Sequence, residues 1–379
     1  MKLGASWEFA TPAKRSRPPS SREPVCSCTI RPRDVSLPVT LVRMNAPDPK
    51  SAPALRWGIL GAGGIAHKFA DAVNNHTAGS IVAAASASSF DKAKAFVAET
   101  SGTAYESYED LLAADDIDAV YVATTHNNHH EPALLAIEAG KHLLVEKAFT
   151  QNEAQARTVI DAAHAKGVFL MEAMWTRHLP HMYEMRAAIA RGDIGRVVCV
   201  QADHGQTLSH VERMYRPELA GGALLDLGVY PIAFAHDVLG VPGAITAVGQ
   251  LTETGVDGQV GMVFDYASSE GTGAQATLHT TMRGTTANIA VVTGTEGRIE
   301  IDSVFYTPTV MRTIRLDGTV TEFDGRVPNG FQYQAAEVAR RIQAGDTESP
   351  LQSHQATLEV MHIMDEVRSQ IGLVFPNER

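Results

Sequence analysis

The apolar positions of this chain first settle into a rhythm at Leu55. Leu55 to Leu60 reads as a strand, a glycine turn follows, and apolar residues recur at helical spacing from Gly64 to about Asn75. A second strand at Ser80 to about Ser86 completes a βαβ opening. Helical spacing returns at Asp91 to Glu99 and Tyr108 to Ala113. Ala119 to Ala123 is apolar without alternation, as a strand covered on both faces should be. A helix at Glu131 to Ala139, a strand at His142 to Val145, a helix at Asn152 to Lys166 and a strand at Val168 to Met171 extend the alternation to about one domain length.

After Met171 the rhythm changes. Strands are expected at Val197 to Ala202, Ile245 to Thr252, Val260 to Tyr266, Ala274 to Met282, Asn288 to Thr293, Arg298 to Ile301, Met311 to Leu316 and Thr319 to Phe323, several joined by tight Gly turns. Helices are expected at Gly222 to Leu239, Phe331 to Ala344 and Ser353 to Ile371. The pattern predicts an α/β chain whose second domain is α+β, with a large open, mostly antiparallel sheet. Helices would cover one face of that sheet, and a second subunit the other.

Composition narrows the function. With 379 residues, 44% of them hydrophobic and 20% charged, the chain can bury two cores. A net charge of −11 argues against nucleic acid or an anionic membrane surface as partner. No uninterrupted apolar run approaches the roughly 18 residues needed to cross a bilayer. Of three cysteines, Cys26 and Cys28 lie in a segment poor in apolar residues, so no disulfide framework follows and a reducing cytoplasm is the expected location. Residues 1–43 carry eight basic residues against three acidic, in a Ser/Pro/Arg-rich composition that predicts disorder. Met44 is read as the natural start, with a basic arm packing on a cofactor or a neighbouring subunit as the competing idea. The expected boundaries are an extension over 1–53, a dinucleotide-binding domain over 54–173 and a substrate and dimerisation domain over 174–379.

Gly61-Ala62-Gly63-Gly64-Ile65-Ala66 follows the first strand directly and opens the first helix. In a Rossmann βαβ unit, Gly61 would form the tight turn and Gly63 would admit a pyrophosphate. Ala66 would replace the third glycine where helix meets strand, and Gly64 and Ile65 would present the helix N-terminus to the anion. The alternative is an ordinary strand-to-helix turn. An NAD site usually places a carboxylate about 20 residues further on. Here Ala85-Ser86-Ala87-Ser88-Ser89 has none before Asp91. Hydroxyls of Ser86 and Ser88, near Lys92 or Lys94, would accommodate a 2′-phosphate, which places NADP ahead of NAD. The same serines would otherwise cap the following helix.

Glu146-Lys147 follows a strand at the end where ligands of parallel sheets collect. A lysine there can stabilise a forming alkoxide or shift the pKa of a neighbouring acid or base. Asp226 and Tyr230 are four residues apart, on one face if helical. Tyr230 would exchange a proton if an ammonium lowered its pKa. Packing and solvated roles are the bland alternatives for both. The run Thr125-His126-Asn127-Asn128-His129-His130 lacks a completing ligand set for a metal, so no metal is expected. Thr124 and His129, beside that strand end, are counted as cofactor-binding candidates. Trp175 and Arg177 either line the cleft or anchor the fold.

Together, Val145-Glu146-Lys147-Ala148-Phe149-Thr150, Glu172-Ala173-Met174-Trp175-Thr176-Arg177 and Gly222 through Pro231 resemble the glucose-fructose oxidoreductase/inositol dehydrogenase/MocA family. Within it, the branch of dimeric dihydrodiol dehydrogenase and NADP-dependent D-xylose 1-dehydrogenase is most similar, and Ile371 to Pro376 resembles that branch too. The resemblance implies an N-terminal Rossmann domain, a homodimer through the open sheet, and hydride transfer between NADP and an aldose, polyol or trans-dihydrodiol. It also implies that Lys147, Tyr230 and Asp226 are catalytic and that Glu146, Lys147, His129, Trp175 and Arg177 approach the cofactor. Ala148 stands where many relatives have proline, often in a cis peptide, Thr125 where proline is usual, and His178 where an aromatic hydrophobe is common. Two rival expectations are an enzyme that retains its cofactor and shuttles hydride between sugars, and a dinucleotide sensor without chemistry.

Overall fold

A computed structural model describes residues 46–267 and 272–378; the expectations for the basic extension, Cys26 and Cys28 fall outside the described residues. Strands β1 (Arg56–Leu60), β2 (Ile81–Ser86), β3 (Thr103–Tyr105), β4 (Ala119–Val122), β5 (His142–Glu146) and β6 (Leu170–Ala173) form one parallel sheet in the order β3-β2-β1-β4-β5-β6. Helices α1 (Gly64–His76), α2 (Phe90–Thr100), α3 (Tyr108–Leu112), α4 (His130–Glu138) and α5 (Glu153–Lys166) connect them. The unalternating strands are explained by cover on both faces: every residue of β4 and β6 is buried. Trp57 of β1 meets Phe69 of α1 edge-on at 5.0 Å, and Phe69 stacks on Tyr121 of β4 at 4.0 Å. The chain reverses its direction of travel between β1 and β4, so the crevice opens beyond their carboxyl ends.

The second half holds α6 (Pro180–Ala190), β7 (Val197–Gly205), α7 (Val229–Leu239), and then β8 (Ala244–Leu251), β9 (Asp257–Tyr266), β10 (Ala274–Thr281), β11 (Ala290–Gly294), β12 (Gly297–Ile301), β13 (Val310–Arg315) and β14 (Val320–Asp324). Helices α8 (Gln332–Ala344) and α9 (His354–Ile371) follow. The eight strands are ordered β14-β13-β12-β11-β7-β10-β9-β8 and are antiparallel apart from β7 with β10. Val260, Met262 and Phe264 of β9 face the helices and are buried. The opposite face is open, with Val248 73% and Val263 43% exposed. The stretch Pro217–Leu239 has a window long and apolar enough to cross a membrane, but it is 89% buried inside the fold and interrupted by charges.

Four features depart from the sequence pattern. β3 is only three residues long, and α6 is buried too evenly to show an amphipathic stripe. Leu224–Gly228 is a turn of π-helix rather than the start of an α-helix, and α7 begins only at Val229. Lys147–Ala148 is a cis peptide although alanine, not proline, follows the lysine.

Candidate active site

A cleft of about 650 Å³ lies at the carboxyl ends of β1, β2, β4 and β5. Its floor is the glycine turn. Gly61 has φ +102°, and a Cβ there would lie 2.6 Å from the Ala123 carbonyl oxygen, so only glycine fits. Gly63 and Gly64 have nothing within 4 Å of where a Cβ would stand, which leaves open space above the loop. No side chain caps the α1 N-terminus at Gly63, so its first N–H groups remain available to an anion. The loop therefore fits a dinucleotide pyrophosphate. Ile65 lines the same cleft, whereas Ala66 is fully buried against the sheet.

The two serines at the end of β2 separate in role. Ser86 is fully buried; its backbone oxygen accepts from Gly61 N at 2.9 Å and its hydroxyl does not reach the cleft. The helix cap is Ser89, which accepts from Lys92 N. Ser88 is left to line the cleft with Lys92, whose Nζ donates to Ser88 Oγ at 3.2 Å. Lys94 instead pairs with Asp91.

Thr124 also lines the cleft, its hydroxyl donating to Asn128 O at 2.6 Å. His129 lies buried beneath it, with Nδ1 3.0 Å from Ala148 O and Nε2 3.2 Å from Thr124 O, so it braces the ends of β4 and β5. Burial lowers the His129 pKa to about 4.

Lys147, from the end of β5, reaches across to the second half. Its Nζ donates to Asp226 O at 2.7 Å and Asp226 Oδ1 at 3.1 Å, and it lies 5.1 Å from the Tyr230 ring centroid. Burial opposes the Lys147 charge, yet Asp226, then Tyr230 and Glu146, outweigh it and hold the ammonium above its ordinary pKa. Burial likewise opposes ionisation of Asp226, but Lys147, with Arg213, holds its carboxyl below the usual range. Arg213 Nη2 donates to Asp226 Oδ2 at 2.9 Å, and His126 Nε2 lies 3.6 Å from Oδ1. Glu146 behaves differently. Burial raises its pKa to about 7 against the pull of Lys147, and it accepts from the Tyr121 hydroxyl.

Tyr230 Oη accepts from Trp175 Nε1 at 3.1 Å, and the Trp175 ring stacks on Phe331 at 4.4 Å. Lys147 pulls the Tyr230 pKa down, as expected, but burial is the larger effect and leaves the phenol above its ordinary value. Arg177 does not join the cleft. Its guanidinium is buried, donates to Ala233 O and His236 Nδ1, and lines a separate small cavity behind Tyr230.

Several neighbours carried no sequence signal. His204 of β7 lies 5.2 Å from the Tyr230 ring and Tyr306 lies 4.8 Å from it. Arg213 approaches Asp226 from the loop before it. All three are brought in by tertiary folding from stretches with no motif.

Comparisons with known proteins agree with this geometry. Residues 55–174 match the model of an oxidoreductase family with an NAD-binding Rossmann fold, and residues 182–300 match the GFO/IDH/MocA C-terminal domain. Trans-1,2-dihydrobenzene-1,2-diol dehydrogenase of Xenopus tropicalis is 36% identical over 85% of this chain and 100% of its own length. D-xylose 1-dehydrogenase (NADP(+)) of Hypocrea jecorina is 33% identical over 85% of this chain and 93% of its own. A 3-ketoreductase from Actinomadura kijaniata, solved with NADP and TDP-benzene, is 28% identical, with a TM-score of 0.73 over 84% of this chain and 98% of that one. The two family models together span well over half of the chain, and the dihydrodiol dehydrogenase matches it over its entire length: the chain belongs to the GFO/IDH/MocA family of oxidoreductases.

Proposed function

We propose that the chain is an NADP-dependent dehydrogenase acting on a carbinol carbon of a sugar or trans-dihydrodiol. The observation that carries this reading is the convergence of Lys147, Asp226 and Tyr230 next to the cleft that the glycine loop opens. The nicotinamide, when bound, gives or takes the hydride at that carbon. Gly61, Gly63 and Gly64 would hold its pyrophosphate. Ser88 and Lys92 would meet a 2′-phosphate, with no carboxylate at the end of β2 to repel it.

Lys147 spends two donors on Asp226, which leaves its third proton for the substrate oxygen. Because its pKa is raised, it stays an ammonium and stabilises developing negative charge on that oxygen. Tyr230 is a phenol at neutral pH and gives its proton when a carbonyl is reduced. In the oxidising direction it must first lose that proton, so the rate should climb with pH. Trp175 fixes the phenol by donating to it.

Lys147→Met is expected to lower kcat by on the order of a thousandfold or more while NADPH binding, followed by fluorescence, stays within a few-fold. Near-normal turnover in that variant would overturn the reading. The reading extends to a homodimer through the open face of the eight-stranded sheet, supported by the exposed Val248 and Val263. A monomer by light scattering at micromolar concentration would refute it.

A further inference from the structure

We infer that Gln206 and Tyr306 form a specificity site that binds one hydroxyl of the substrate other than the one being oxidised. The inference rests on the proposed dehydrogenase reading and deepens it, because it requires a substrate with at least a second hydroxyl.

His204 sits between the Leu227 carbonyl and the Gln206 amide. Its Nδ1 lies 3.0 Å from the Leu227 carbonyl oxygen, which can only accept, so Nδ1 carries the hydrogen. The ring is 1% exposed, and burial lowers its pKa to about 3. A neutral imidazole has one N–H, so Nε2 is an acceptor. Gln206 Nε2, 2.9 Å away, must then be the donor, and this fixes which way the amide points. The second hydrogen of the same Nε2 goes to Tyr306 Oη at 3.0 Å.

Two groups are left over. Among the described residues, nothing donates to Gln206 Oε1 and nothing accepts the Tyr306 hydroxyl proton. Both side chains are only half-buried, so an acceptor and a donor stand side by side at an accessible wall. An alcohol oxygen, which donates one hydrogen and accepts another, matches that pair.

The wall adjoins the reacting groups. The Tyr306 ring lies 3.9 Å from His204 and 4.8 Å from Tyr230, and the charge of Lys147 acts on both His204 and Tyr306. A substrate whose carbinol meets Tyr230 would bring a neighbouring hydroxyl to Gln206 and Tyr306. A substrate without it would leave both groups desolvated and unpaired, the situation in which binding sites discriminate most strongly.

The test compares hydroxylated and deoxygenated partners: D-xylose against its monodeoxy analogues, and trans-cyclohexane-1,2-diol against cyclohexanol, each with NADP. For the wild-type chain, the partner with the extra hydroxyl should have the higher kcat/KM by on the order of tenfold to a hundredfold. Gln206→Leu should erase most of that ratio by slowing only the hydroxylated partner. Tyr306→Phe, which keeps the ring stack and removes the donor, should do the same in part, with NADPH binding unchanged in both variants. Equal losses on both partners, or an unchanged ratio in both variants, would overturn the inference. Absence of NADP-linked oxidation of every sugar and diol by the wild-type chain would instead overturn the dehydrogenase reading itself.

Discussion

Replacing Asp226 with asparagine tests the electrostatic centre of the site without changing its shape. Lys147 and Asp226 side chains are only 11% and 12% exposed and 3.1 Å apart, so removing one charge strands the other in a poorly solvated place. Breaking such a pair costs about 3–5 kcal/mol. The lower end is expected, since the Asp226 backbone oxygen still accepts from Lys147 at 2.7 Å and Glu146 remains a nearby counter-charge. Arg213, with 44% of its side chain exposed, can return to water, and His126 is already neutral because burial lowers its pKa to about 3.

A penalty of about 3 kcal/mol equals roughly two pK units on Lys147. In the wild-type chain the Lys147 pKa is raised. Its stabilisation is therefore complete below the unfolded value of about 10.4 and is lost only above that, so the pair adds no slope between pH 7 and pH 9.5. In Asp226→Asn a loss of about two pK units takes a raised pKa back to roughly its unfolded value, so the gap to wild type should stay constant between pH 7 and pH 9.5 and narrow only above about pH 10.4, where the wild-type chain loses the pair. Urea unfolding at pH 7, 8 and 9.5 measures the gap, with Lys147→Met/Asp226→Asn as a control that no longer carries the ammonium. A gap well under about 3 kcal/mol, or one that closes within that window, would refute the claim that the pair contributes its full stabilisation there.

Trp175→Phe removes the hydrogen bond that helps hold the Tyr230 pKa down, so the alkaline rise of the oxidation rate should move to higher pH and kcat at neutral pH should fall about fivefold; a pH–rate profile checks this. Ser88→Asp places a carboxylate where the 2′-phosphate would lie and should shift the NADP:NAD preference in kcat/KM toward NAD by tenfold or more, measured with both cofactors in parallel. Glu172 is buried, and burial raises its pKa to about 7 from 4.5, so its ionisation costs the folded state as pH rises through that window. Glu172→Gln should gain stability relative to wild type between pH 5 and pH 8 by at most about 3 kcal/mol; a pH-independent difference in urea unfolding would contradict the shift.

What the sequence showed and what it hid follow from one physical distinction. The first half was readable because local pattern and fold agree there: continuous apolar strands alternate with periodic helices, and Gly61 must be glycine for a reason of backbone geometry. Lys147 and Tyr230 were legible as candidates, but not their distance from each other, which depends on contacts 79 residues apart in the case of Lys147 and Asp226. The π turn at Leu224–Gly228 looked helical because its apolar positions suit either winding. The parallel pairing of β7 with β10 and the approach of His204, Gln206 and Tyr306 left no local trace. Arg177 illustrates the opposite error, since a polar residue beside an expected cleft proved to serve the interior instead.

The bridge from Lys147 to Asp226 also bears on how this architecture can be taken apart. An excised first half would carry a cation with no counter-ion from Asp226, and an excised second half would carry an anion deprived of its main neutralising group. The halves are therefore poor modules for chimaeras unless both ends of that bridge travel together. Diversification is freest at the wall contributed by β7 and the 303–309 loop, which can be recast while the nucleotide cradle stays as it is.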